Sequence, residues 1–314
     1  MLENFKKLPV GLTGTGLGVA TLSVAWENFN MHFLKVPLLI IAFIFMAVII
    51  IKDIRFPKVF FNELKNPVMG SYIPTLAMCL MVWAGILHSF NIAWLNPFAV
   101  NLWLFAIGLQ IVLAVLFFYF QIKNYKHSCF VPSWYIPPIG IIVACVNGKL
   151  MGHDMIGAIL LSICIPLYLL MMVFLLDRLI FHVRLTKQNR STFGVMAAPA
   201  SLCLAGYLTV IKHPNEIVLH VLVTIAILMT LLLYIAFTRL LRTKFNPGFA
   251  AFTFPLAIGV VAQQKFYLFL LSTHQYELAH YILLLAKVEF VIATIVIFYV
   301  MINFLLLVYR ILFK

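Results

Sequence analysis

The chain has 314 residues, of which 64% are hydrophobic, 15% aromatic and 10% charged, with a mean hydropathy of +1.09. A water-soluble domain carries about 45–50% apolar and about 25% charged residues, so this composition excludes one and leaves an integral membrane protein. The 22 Lys and Arg against 9 Asp and Glu give +13; in such a chain that excess marks basic loops on one membrane face, and no nucleic acid is expected as a partner.

In chain order, the basic start from Met1 to Lys7 leads into a Gly-rich run with no small-residue cleavage site before Glu27 and Asn28. Residues 8–26 therefore read as a first span and not as a removed signal peptide. Further apolar runs follow at 34–51, 71–89, 99–121, 133–152, 155–177, 193–211, 217–238, 248–271 and 281–309. Ten spans of about 20 residues consume about two thirds of the chain, so 1–314 reads as a single transmembrane domain with the lipid bilayer as its surroundings.

Assigning alternate loops to opposite faces tests that segmentation, because cytoplasmic loops collect Lys and Arg. Seventeen of the 22 basic residues then share one face. They are Lys6 and Lys7; Lys52, Arg55, Lys58 and Lys65; Lys123 and Lys126; Arg178, Arg184, Lys187 and Arg190; Arg239, Arg242 and Lys244; and Arg310 and Lys314. Lys35, Lys149 and Lys212 fall on the other face, with Lys265 and Lys287 inside the last two segments. This predicts a multi-pass protein of the plasma (bacterial inner) membrane with both termini cytoplasmic.

Prolines interrupt the odd segments at Pro9, Pro74, Pro137/Pro138, Pro199 and Pro255, at intervals of 65, 63, 62 and 56 residues counted with Pro137. That spacing reads as one helical hairpin used five times. A proline frees a carbonyl that hydrocarbon cannot satisfy, so such helices belong among protein or beside a wet cavity. The even segments are bulky and more continuous, as in Leu38–Met46, with Pro166 the internal exception. The expected fold is all-α, with an inner ring of five Pro-kinked helices inside an outer ring of five. In the first segment Gly11, Gly14 and Gly18 share a face by their spacing, which suits either close helix packing or a narrow pore wall.

Chemistry-bearing groups are sparse. Lys265 and Glu289 read either as an intramembrane ion pair or snorkelling pair, or as a proton or anion relay. Glu277 and His280 form an isolated Glu-x-x-His without further ligands, the five cysteines show no C-x-x-C spacing, and no nucleotide or hydrolase motif is present. Neither a metal, a cofactor nor an enzyme activity is expected. Hydroxyls near the prolines, such as Thr13, Thr75, Ser201 and Thr253, suit a path that passes a weakly held anion by diameter and dehydration cost.

The first-span string from Leu8-Pro9-Val10-Gly11-Leu12-Thr13-Gly14 to Gly18, ending in Leu22-Ser23-Val24-Ala25-Trp26, resembles the bacterial TehA proteins. Ala251-Phe252-Thr253-Phe254-Pro255 and Met196-Ala197-Ala198-Pro199-Ala200 are similar to further family segments. These proteins form the tellurite-resistance/dicarboxylate transporter family, related to plant slow anion channels and fungal malate and sulfite carriers. The resemblance implies a homotrimer with one pore per protomer, a phenylalanine plug matching Phe254 (Phe252 if the register slips) and a pore glycine matching Gly14. Gly16, where relatives can carry proline, and Pro255, where they can carry glycine, depart from the pattern.

The expectation is a passive channel for small anions (chloride, nitrate or carboxylates) gated by Phe254. Gly14, Gly18, Pro74, Pro137, Pro199 and Pro255 are its pore-lining candidates. The alternatives are a proton-coupled carrier of dicarboxylate, sulfite or tellurite-type oxyanions, and a non-transporting scaffold that binds a partner through its basic loops.

Overall fold

A computed structural model describes residues 2–123, 129–147, 151–182, 185–186 and 189–313. Lys126, Lys149, Arg184, Lys187 and Lys314 of the charge count, and part of the predicted 133–152 segment, lie outside the described residues. Among the described residues all regular structure is helical.

The helices are α1 (Gly11–Asn28), α2 (Lys35–Arg55), α3 (Pro57–Lys65), α4 (Met69–Tyr72), α5 (Thr75–Ser89), α6 (Leu95–Lys123) and α7 (Ile136–Ile139). They continue with α8 (Val143–Asn147), α9 (Asp154–Phe181), α10 (Ala198–Val210), α11 (Glu216–Leu240), α12 (Ala250–Ser272) and α13 (Tyr276–Phe313). Eight helical stretches among the described residues are long and apolar enough to cross a membrane. The first predicted segment became α1, whose glycines, threonines and serine lower its hydropathy. The fifth became the shorter broken stretch Pro132–Val146.

The helices divide by burial. In the most apolar window of Met69–Ser89, 78% of residues are buried, against 28% for Leu95–Lys123 and 22% for Asp154–Phe181. The long exposed helices each bury one stripe at three- and four-residue spacing, as at Leu219, Leu222, Ala226, Thr230, Leu233 and Phe237 of α11. Their other faces, with Phe43, Phe105, Ile163 and Ile235, are exposed apolar surface suited to lipid.

Three of the buried segments break at or beside their prolines, whereas α12 runs unbroken through Pro255. Pro74 separates α4 from α5, Pro137 and Pro138 sit in the four-residue α7 ahead of a 3-10 turn at Gly140–Ile142, and a 3-10 stretch at Arg190–Ala197 precedes Pro199. Carbonyls within these breaks also take side-chain donors from neighbouring helices. Gln110 of α6 gives its amide to the carbonyls of Ile136 (3.2 Å) and Pro137 (2.9 Å). The hairpin period also returns in the loops: Asn30, Asn91 and His274 each take a positive φ two residues beyond α1, α5 and α12, and Gly152 does so ahead of α9.

α1 packs against α5, α5 against α8, α8 against α10, α10 against α12, and α12 back against α1. Each also packs against the long helix that follows it: α2, α6, α9, α11 or α13. One element was not expected. Residues 52–70 read as a polar loop, yet Pro57–Lys65 is a helix begun by proline at its first position. It is held by the buried Lys52, which donates to Glu63 (2.6 and 2.7 Å) and to the Leu8 carbonyl (3.0 Å).

Candidate permeation pathway

Two cavities lie among the buried helices. The first, with about 450 Å³ of empty space, gathers the amino-terminal ends of these segments, including Gly14, Tyr72, Thr75, Ile139, Pro199 and Ala250. The second, about 1420 Å³, gathers their carboxyl-terminal ends, including Thr21, Glu27, Val82, Val146 and Lys265. Phe254 and Leu202 belong to the walls of both.

One helical face runs through both cavities on each principal wall. On α1 it is Gly14, Leu17, Thr21, Val24 and Asn28; on α12 it is Phe254, Ile258, Val261, Lys265 and Leu268. Steps of three and four keep each row on one side of its helix. Phe252 sits two residues from Phe254 and therefore on nearly the opposite side. It is fully buried, with ring centroids 5.2 Å from Phe237 and 5.1 Å from Phe249.

α12 is tied to α1 at both ends of this row. Thr253 donates to the Gly14 carbonyl (3.1 Å) and to Ala250 (2.9 Å). Eleven residues on, Gln264 donates to the Ala25 carbonyl (3.0 Å) and accepts from Asn28 (2.8 Å). The ring of Phe254 is thus presented from a helix pinned on both sides of it.

The first-span glycines have different surroundings. A Cβ on Gly14 would meet Ala250 and Tyr72 at 3.8 Å, ordinary contact beside the cavity. A Cβ on Gly18 would overlap Thr253. Gly18 is therefore closely packed between α1 and α12 and is not on the wall of either cavity. Thr75 and Ile136, the neighbours of Pro74 and Pro137, line the first cavity, and the prolines themselves do not. Gly14, Pro199 and Pro255 do line it.

Lys265 and Glu289 have different surroundings. Lys265 lines the second cavity. Glu289, only 2% exposed, sets its carboxylate 3.5 Å from the Cβ position of Gly259, about a third of a turn around α12 from Lys265. Leu202, which the sequence reading missed, stands one turn beyond Pro199; that offset from a proline is the signal that could have found it.

The model of the SLAC1 family, described as voltage-dependent anion channel, matches residues 7–305. The chain belongs to this family. An uncharacterized transporter of Methanocaldococcus jannaschii is 26% identical over 253 residues, 73% of each chain. A second uncharacterized transporter of that organism is 25% identical over 252 residues, 72% of this chain and 71% of its own. A tellurite resistance protein TehA homolog of Haemophilus influenzae is 24% identical over 277 residues, 83% of this chain and 81% of its own. Membership of the voltage-dependent anion channel family places the chain among membrane channels and transporters of anions, and the apolar helices agree with a multi-pass protein.

Proposed function

We propose that the protein is a passive channel for small anions, chloride, nitrate or carboxylates, whose pore runs through the two cavities and is closed by Phe254. The observation that carries this reading is the position of Phe254 on both cavity walls, in a row that continues along α12 on either side of it. An aromatic ring across a narrow apolar path excludes water and ions together, and a rotamer change or a small helix shift reopens it.

The reading arranges the buried segments as a ring of five inside five longer helices; their circular order of packing supports this. Both termini and the basic loops face the cytoplasm, so the smaller cavity opens inward and the larger outward. The protein acts as a homotrimer of single-domain protomers in the bacterial inner membrane, as the family resemblance implies.

A passive mechanism is favoured over proton-coupled carriage because Glu289, the buried acid of α13, lies off the lining row, and Glu27, the acid on the described wall of the larger cavity, is paired with Lys35 at 2.6 Å. A coupling carboxylate on the path would share a cavity with the transported ion. The test is the reversal potential of purified protein in asymmetric chloride, nitrate and malate, repeated across a pH gradient. Currents that follow the anion gradients and ignore the proton gradient support the channel. Saturating flux that moves with the proton gradient supports the carrier.

A further inference from the structure

Two buried hydroxyls on the wall of the smaller cavity have no hydrogen-bond partner. Tyr72, the last residue of α4, and Tyr135, the last of the 3-10 turn Pro132–Tyr135, both line that cavity. They are 6% and 3% exposed, and neither phenol oxygen bonds anything. Among the described residues, no other buried side chain with an unpartnered N or O belongs to the wall of either cavity. Thr75, the third polar side chain on this wall, is occupied: it donates to the Tyr72 carbonyl (2.6 Å) and stands 2.7 Å from the Thr13 hydroxyl.

The placement repeats with the hairpin. Tyr72 precedes Pro74 by two residues and Tyr135 precedes Pro137 by two, whereas Lys7, Ala197 and Thr253 hold that position in the other three segments. Ser71 donates to Ser133 (2.7 Å), which ties the two segments together beside the tyrosines.

We infer that Tyr72 and Tyr135 form an anion-binding site on the smaller-cavity side of Phe254, donating their hydroxyls to a small monovalent anion. This deepens the channel reading and rests on it. A buried O–H that donates to nothing forfeits the bond it made in water, and an anion arriving in the cavity restores it. Hydrogen bonds to an ionised acceptor are about twice as strong as neutral ones, so an anion gains more from these donors than a water molecule does. A small turn of either ring brings its hydroxyl to an ion in the cavity. The described wall carries no charged side chain, so a dianion would meet neutral donors and no cation, and a cation would find phenol lone pairs but no carboxylate.

The test replaces each tyrosine by phenylalanine, which keeps the ring and removes only the hydroxyl. Full-length protein in detergent is titrated with nitrate against gluconate at constant ionic strength. Wild-type Tm is expected to rise saturably, the half-saturating nitrate concentration to increase several-fold in Tyr72→Phe and in Tyr135→Phe, and the saturable rise to vanish in the double variant. A second arm records nitrate currents in planar bilayers with Phe254→Ala as the open background, where loss of either hydroxyl shifts half-saturation of the current in the same direction.

If the hydroxyls are merely buried, the phenylalanine variants start from a higher Tm and keep the wild-type nitrate dependence, which overturns the site. Unchanged half-saturation in conducting variants overturns the site and leaves the channel standing. A silent Phe254→Ala protein with hydroxyl-dependent nitrate stabilisation keeps the site and overturns the channel. A silent protein without that stabilisation overturns both. Should one variant fail to assemble, the other is read alone, and wild-type half-saturation in it overturns the site.

Discussion

Leu202 of α10 and Phe254 of α12 are the two side chains shared by the walls of both cavities, so they stand at the same level on neighbouring helices. If Phe254 is the plug, Leu202 is the surface it closes against. Leu202→Ala is expected to give a measurable anion current where the wild type gives almost none, smaller than that of Phe254→Ala. The double variant should exceed either. Whole-cell currents in oocytes, normalised to surface protein, measure this order.

Gly14 and Gly18 separate pore from packing. Gly14→Ala adds a methyl in ordinary contact and should leave Tm nearly unchanged while narrowing the cavity, so it lowers conductance in an open background. Gly18→Ala drives a methyl into Thr253 and should cost about 1–3 kcal/mol or more by overpacking. Thermal unfolding in detergent, with conductance measured on the same preparations, distinguishes the two.

Much of the architecture was legible because lipid makes the rules strict. The positions of the apolar runs, their alternation between proline-bearing and continuous segments, and the roughly 60-residue period all follow from the need to satisfy backbone groups without water. The boundary between lining and packing was less legible. Gly14 and Gly18 differ by about 40° around α1, too little for spacing alone to tell which one faces Thr253. The row from Gly14 through Leu17 and Thr21 becomes visible only once α12 is docked.

Long-range partners were hidden for a similar reason. Lys265 and Glu289 occupy adjacent helices and read as a pair; Lys265 lines the second cavity, and Glu289 lies against α12 at Gly259. α3 was missed because Lys58, Asn62 and Glu63 made its stretch read as a polar loop, and its anchor Lys52 lies at the end of the preceding span.

That anchor predicts an asymmetric mutational response. Lys52 is fully buried, and Glu63→Ala would strand its charge, at a cost of about 3–5 kcal/mol. The double change Lys52→Met with Glu63→Leu should recover most of the loss. A double-mutant cycle on thermal unfolding checks it; equal destabilisation by single and double variants would contradict the pairing.

Gln110 offers a test of the broken fifth segment. Gln110→Leu removes the side-chain donor to the Pro137 carbonyl and a second donor to the Ile136 carbonyl, which keeps the Gly140 N–H, at a cost of about 1–3 kcal/mol. A lower Tm is the expected result. Gln110→Glu should not rescue, because an ionised carboxylate repels the same carbonyls.

Closure of an anion path by Phe254 is put to the test by Phe254→Ala. Wild type and variant are expressed to equal surface density and recorded with nitrate or chloride as the permeant ion. The account predicts a large, time-independent anion current in the variant and a small one in the wild type, with Phe252→Ala, whose ring packs against Phe237 and Phe249, behaving as wild type. A well-assembled Phe254→Ala protein with wild-type current would contradict it.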